Sequence, residues 1–250
     1  MLGIRYTGAG IMAAAISLDK PTTKKVIEWH GIRTPHFMVL YNQNDDLNPK
    51  LTYPIILKPS HEGSSMGINI DNVVHDEIQL RKKLREMLKI YNQGILAEEF
   101  IDGREFSVGI VGNFIGDEKP KVLPIFEMDF SKIAPELGTV LGQKVKTIYD
   151  TSSNYICPAK ISAKLKKEIE ETTLKVVKIL NCYDWGRLDF RYNSRGELYF
   201  LEINPLPGID CDPSADDYSF YPFMWLKGGW SFDDMIREVV DASLKRYDIQ

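Results

Sequence analysis

A chain of 250 residues that is 44% hydrophobic and 26% charged can bury a sizeable core and leaves little room for extensive disorder. Its length allows one large domain or two smaller ones sharing an interface. A formal net charge of -4 argues against broad adhesion to nucleic acid or an anionic membrane, though a local basic cleft could still take small anions. Cys157, Cys182 and Cys211 are an odd set without metal-type pair spacing, which disfavours a disulfide framework or a zinc site and favours a reducing compartment. The apolar stretch at residues 8–18 is too short to span a bilayer. The first residues also lack the basic segment of a secretory signal, so the expectation is a cytoplasmic protein.

In chain order, residues 10–31 carry a helical pattern through Val26, Ile27 and Trp29, with Ser17 or Asp19 as cap, Pro21 in the first turn and Gly31 as stop. Residues 34–40 predict a strand, 42–50 a polar loop, and 53–57 a buried strand that delivers Lys58 and Pro59 to a site. Residues 60–67 read as a small, polar hairpin loop returning through a strand at 68–70. Ile78, Leu80, Leu84, Met87 and Leu88 mark an amphipathic helix over 76–92. Strands follow at 95–100, 106–111 and 122–128, and a long helix at 162–180. Strands at 186–192 and 198–203 are joined by the turn sequence 193–196, and a last helix covers 232–246. Two sheet-bearing halves result, one around Lys58 and one around Asp189, and a ligand site between them is expected.

The most informative group is Asp189, Glu202 and Asn204. Residues two apart on a strand share a face, so Glu202 and Asn204 point the same way, and Asp189 can meet them from the paired strand. Three oxygen donors suit Mg²⁺, which shares its octahedron with water and phosphate. A solvated hairpin face is the alternative; the apolar neighbours Leu188, Phe190, Leu201 and Ile203 favour convergence. A second group is Lys58 followed by the loop containing Glu62, Ser64 and Ser65. A strand-end lysine supplies a point charge for phosphate, and a Gly/Ser loop supplies backbone N–H groups and hydroxyls. The order differs from a Walker A loop, where the lysine follows the glycines. The third group, Glu98, Glu99, Phe100, Ile101 and Glu105, offers acceptors and an apolar wall to a nucleoside.

In this order, the stretches Tyr6-Thr7-Gly8, Asp19-Lys20, 58–67, 98–105, 185–189 and 201–208 resemble the ATP-grasp superfamily and specifically the D-alanine–D-alanine ligase family. The resemblance implies an α+β fold with two subdomains clasping ATP. The expected division is a leading segment at 1–18, a first subdomain at 19–100, and a catalytic, metal-binding subdomain at 101–250. It implies Lys20 and Lys58 on the α- and β-phosphates, with Glu62, Ser64 and Ser65 in the loop that closes over the triphosphate. It implies Glu98, Glu99, Phe100 and Ile101 around adenine and Glu105 at the ribose. Mg²⁺ or Mn²⁺ would be held by Asp189, Glu202 and Asn204, while Arg187 and the backbone N–H of Gly208, with Ser65, would serve catalysis.

The implied reaction is amide-bond formation between amino acids through an acylphosphate, supplying peptidoglycan for the cell wall. The family's N-terminal domain is expected before Tyr6, and here that segment comes at once; the chain is then a fragment, a shortened homologue or part of a split enzyme. Partners would be small amino-acid substrates, with either a homodimer or an N-terminal partner domain. The family's loop lysine has no counterpart before Pro158-Ala159, for which Lys144 or Lys146 could substitute. Ser214 and Ser219 are both candidates for the serine that meets the second substrate, and Asp212, Asp216 and Asp217 nearby leave the substrate open. A ligase for other amino acids, or an ATP-binding module that has lost catalysis, are the alternatives.

Overall fold

The computed structural model describes residues 3–63, 65–149 and 151–249. Helix α1 (Ile11–Leu18) leads directly into α2 (Lys20–Trp29). Asp19 separates them because its carboxylate accepts the Thr22 amide at 3.0 Å, with Pro21 in the first turn, where a missing N–H costs nothing.

A four-stranded antiparallel sheet follows, built from β1 (Phe37–Leu40), β2 (Ile55–Pro59), β3 (Val73–Val74) and β4 (Ile95–Glu99) in the order β1-β4-β2-β3. Helix α3 (Glu77–Ile90), capped by Asp76, covers it. Leu80, Leu84 and Met87 recur at helical spacing and pack against Leu40, Ile55, Leu57 and Ile95.

The larger sheet comprises β5 (Gly103–Val111), β6 (Lys121–Val122), β7 (Phe126–Met128), β8 (Tyr155–Ile156), β9 (Trp185–Asn193) and β10 (Leu198–Asn204). Its order is β10-β9-β5-β7-β8, with β6 beside β5. Helix α5 (Ala163–Leu180) buries Leu165, Ile169, Val176 and Leu180 against Phe106, Val108, Leu188, Phe190 and Phe200, and Ile27 of α2 joins this core. Gly103 opens β5 at φ +149°, and a Cβ there would collide with the Tyr192 carbonyl, so the crossover between the sheets requires glycine.

The register of the β9–β10 pair positions the site. Phe200 lies opposite Phe190, but Glu202 lies opposite Asp189, so Leu201 is an extra, bulged residue. The bulge reverses the alternation. Phe200 faces the core, whereas Glu202 and Asn204 face the other side together with their partners Asp189 and Arg187.

Several elements differ from expectation. The return strand expected at 68–70 is instead a 3₁₀ turn, Ile70–Asn72, in which Asn69 and Asn72 cap each other, and pairing with β2 begins at Val73. Asn72 competes for the backbone here, donating to the carbonyls of Leu57 and Gly67, both at 2.8 Å. The strand expected over 122–128 is two short strands, because Pro124 offers no N–H to continue the ladder. Sequence periodicity also missed α4 (Gln143–Ile148), the hairpin of β11 (Cys211–Asp212) and β12 (Asp217–Tyr218), and α6 (Phe220–Lys227), which is apolar all round. The final helix, α7 (Phe232–Arg246), is as predicted.

Asp184 ties the ends of the chain to the larger sheet. Fully buried, it accepts from Gly8 N at 2.7 Å, Asn113 Nδ2 at 2.8 Å and Arg246 Nε and Nη2 at 3.0 and 2.8 Å. Asp184→Ala is expected to cost about 3–5 kcal/mol in chemical denaturation, the size seen when one partner of a buried charge pair is removed.

Candidate active site

The two sheets face each other across a cleft of about 730 Å³. On the small-sheet side, Lys20 and Lys24 stand one turn apart on one face of α2, and Lys58 projects from the end of β2. Glu98 on β4, 1% exposed, receives Lys58 on Oε1 and Lys24 at 2.9 Å from Oε2. Burial pushes the Glu98 carboxyl upward, but the two ammonium groups outweigh it and hold the pKa down to about 2, from 4.5. Burial lowers the pKa of Lys20, with Glu202 and Glu98 opposing and Lys58 adding to the depression.

Lys20 donates to the Glu62 carbonyl and so anchors the Gly/Ser loop. The Glu62 carboxylate itself turns to Gln93 Nε2 at 2.8 Å. Ser65 lines the cleft and donates to the Leu141 carbonyl at 3.1 Å, while Ser64 lies outside the described residues. Gly67, at φ +71°, closes the loop where a Cβ would strike the Tyr91 ring.

At the crossover between sheets, Glu99, Phe100 and Ile101 line the cleft. Glu99 accepts the Thr52 hydroxyl at 2.5 Å, and Phe100 lies under the Arg191 guanidinium at 5.4 Å. Glu105, expected at a ribose, is paired with Arg191 at 2.6 Å. Arg191 also donates to Gly103 O at 3.2 Å and to Thr139 O, which pins the crossover to β9.

On the large-sheet side, the expected cluster comes together. Asp189 accepts from Ser107 Oγ at 2.5 Å, from Asn204 Nδ2 at 3.2 Å, and from Arg187 Nε and Nη2 at 3.1 and 3.0 Å. Glu202, its cross-strand neighbour, lines the same cleft. Two carboxylates and an amide oxygen form a sparse, oxygen-only donor set. It fits a Mg²⁺ ion that completes its octahedron with water and phosphate oxygens. Among the described residues no group of three or more His, Cys, Asp or Glu side chains could hold a metal by itself. Burial works against the Arg187 charge, and Asp189 beside it more than restores it.

Lys146 on α4 also lines the cleft; burial and then Arg187 lower its pKa, while Glu202 and Asp189 oppose. Lys144 instead is exposed, with its amide on Asn69 Oδ1 at 3.2 Å. Gly208 sits in an exposed loop beside Ser219, whose hydroxyl donates to Asp210 Oδ2 at 3.0 Å. Ser214 is spent on Asp212 at 2.6 Å in the outer hairpin. A second cavity, of about 770 Å³ and lined by Lys20, Ser65, Glu202 and Asn204, adjoins the metal-facing end.

Sequence reasoning missed Lys24, Ser107 and Arg191. Each carried a readable signal: Lys24 is four residues after Lys20 on a helix, Arg191 is two after Asp189 on a strand, and Ser107 lies opposite Asp189 in the ladder.

Two antiparallel sheets closing a lysine wall on a carboxylate wall define the ATP-grasp class of nucleotide-binding enzymes. The family model described as the D-ala D-ala ligase C-terminus matches residues 26–241. The chain belongs to the D-alanine–D-alanine ligase family, and its function is that of an ATP-dependent ligase of this type. Similar proteins include the D-alanine–D-alanine ligase of Cupriavidus pinatubonensis, 31% identical over 97% of this chain and 68% of the relative. That of Aquifex aeolicus is 32% identical over 96% of this chain and 74% of the relative. The solved D-alanine–D-alanine ligase of Bacillus anthracis, complexed with ATP, shares the fold with a TM-score of 0.73 at 23% identity, covering 98% of this chain and 72% of that one. Among the described residues no helix is long and apolar enough to cross a membrane.

Proposed function

We propose that this cleft binds Mg²⁺-ATP and, in the cytoplasm, joins two amino acids, D-alanine being the leading substrate, to make a precursor for cell-wall peptidoglycan. The observation that carries the reading is the opposition of charge: Lys20 and Lys58 on one wall, Asp189 and Glu202 on the other. A polyanion bridged to a divalent cation satisfies both walls at once. Lys20 and Lys58 hold the inner phosphates, and the loop from Glu62 to Ser65 covers them. Glu98 to Ile101 receive the base, with Glu105 at the ribose. Asp189, Glu202 and Asn204 would hold Mg²⁺, which when bound would supply neutralisation of the phosphate charge; the γ-phosphoryl group passes from ATP to a substrate carboxylate oxygen.

The resulting acylphosphate carries a good leaving group. An amine forms the new C–N bond, the carbonyl electrons move onto oxygen beside Arg187 and the Gly208 N–H, and inorganic phosphate departs as the amine loses its proton. The two proposed subdomains, 19–100 and 101–250, meet at the crossover before Gly103, with α2 bridging them. A homodimer or a further domain would complete the amino-acid side.

Lys146 is the loop cation of this reaction and Lys144 is not. Lys146→Met is expected to lower turnover at least tenfold, the scale of one unit charge at close range, with Lys144→Met close to wild type in an ADP-release assay.

A different second substrate is the competing reading, favoured by Ser219 being turned to Asp210 beside the Asp212 and Asp217 hairpin. An ADP-release screen over D- and L-amino acids decides: stimulation by D-alanine supports the leading reading, and stimulation by other amino acids alone the second. Tight Mg²⁺-ATP binding with no ADP formed across the panel would mark a binding module.

A further inference from the structure

Lys24 has no substrate contact among those expected from the sequence; it lines the cleft from a position only 2% exposed and sits at the centre of an unbroken polar chain. Its ammonium group donates to Thr34 Oγ1 at 2.9 Å, and that hydroxyl donates to the Phe200 carbonyl at 3.1 Å, next to the bulge that turns Glu202 into the cleft. On its other side it meets Glu98 Oε2 at 2.9 Å, and Glu98 Oε1 receives Lys58, which is 15% exposed at the cleft. The chain therefore runs from the strand carrying Glu202 in one sheet to the strand-end lysine of the other.

Its charge count is unusual. A buried carboxylate with one lysine is neutral; here two lysines share Glu98, and the triad keeps one surplus positive charge. Lys24 is charged and almost fully buried, and Glu98 is the carboxylate that compensates it, so the compensation Glu98 gives to Lys58 is divided between two ammonium groups.

We infer that Lys24 is a positioning residue for nucleotide phosphate: by sharing Glu98 it offsets the carboxylate's charge, so that Lys58, while still bonded to Glu98 Oε1, presents a net positive charge to an anion in the cleft. Without Lys24, Glu98 would belong to Lys58 alone, and the pair would present no net charge to the cleft.

This rests on the cleft being a nucleotide site, and the test separates the two. ATP and adenosine are titrated calorimetrically, with Mg²⁺, into the full chain, and the ratio of their affinities isolates the phosphate contribution from the base. In Lys24→Met the ratio is expected to fall about tenfold. Adding Glu98→Gln to Lys24→Met removes the competing carboxylate, restores the surplus charge on Lys58 and is expected to return the ratio to within a few-fold of wild type. Glu98→Gln alone, with two unshared lysines, is expected to raise it. A purely structural role for Lys24 predicts no recovery in the double variant.

An unchanged ratio in Lys24→Met, or a double variant as impaired as the single, overturns the inference. If Lys24→Met does not fold, the double variant and Glu98→Gln decide, and a ratio in Glu98→Gln no higher than wild type overturns it. Wild-type protein that binds ATP no better than adenosine would remove the nucleotide site itself.

Discussion

Asp189→Asn combined with Glu202→Gln is expected to abolish Mg²⁺-dependent ligation, lowering turnover by about 10³–10⁴. The estimate follows from the several kcal/mol a bound metal contributes to charge stabilisation, each 1.4 kcal/mol being a factor of ten. The two residues are direct cross-strand partners, placed for one cation to reach both, and their charge is the large-sheet half of the opposing walls. Both replacements keep the side-chain shape, and Ser107 and Asn204 remain beside position 189, where an amide offers one acceptor oxygen in place of the carboxylate's two. The effect should appear in Mg²⁺ titrations of ADP release, made at a temperature where the variant is still folded because Arg187 loses its carboxylate partner. A double variant that still turns over with the wild-type Mg²⁺ dependence would disprove the metal assignment.

Arg187→Ala is expected to lower ligation by about 10²–10³, the usual cost of losing one oxyanion donor, with ATP affinity retained. Arg187 lies opposite Asn204 in the ladder, is bidentate to Asp189, and lies 5.4 Å from the Phe220 ring. Lys20, Lys58 and Glu98 are untouched by its removal. Single-turnover measurements separate this from indirect damage to the metal site: ADP should still form with the wild-type Mg²⁺ midpoint while amide product lags. Equal ligation rates in variant and wild type would end the assignment.

Much of this site was legible because it rests on local rules. Period-two alternation brought Glu202 and Asn204 to one face with Asp189, and the abrupt end of an apolar run put Lys58 at a strand terminus. Asp19 and Pro21 announced a helix start. The bulge at Leu201 was not legible, since it depends on the fit of Phe200 against Phe190 in the core rather than on any residue with a bulge signature. Nor was the short helix that carries Lys146 toward the cleft, whose six residues are too few for periodicity to register. Glu98 was read as an acceptor for a base, and only its neighbours in space show that its carboxylate is already shared by two lysines.

The distinction bears on how the two walls cooperate. Sequence order identifies the lysines and carboxylates separately, whereas the polar chain through Thr34, Lys24 and Glu98 links them, so a change on one sheet should be felt in the phosphate affinity of the other.

One nucleotide is expected to lie between these walls. A crystal structure with Mg²⁺ and a nonhydrolysable ATP analogue tests it most directly. The phosphates are expected against Lys20 and Lys58, the base at Glu98 to Ile101, and the cation on Asp189 and Glu202. An analogue bound elsewhere, or a cation touching neither carboxylate, would contradict it.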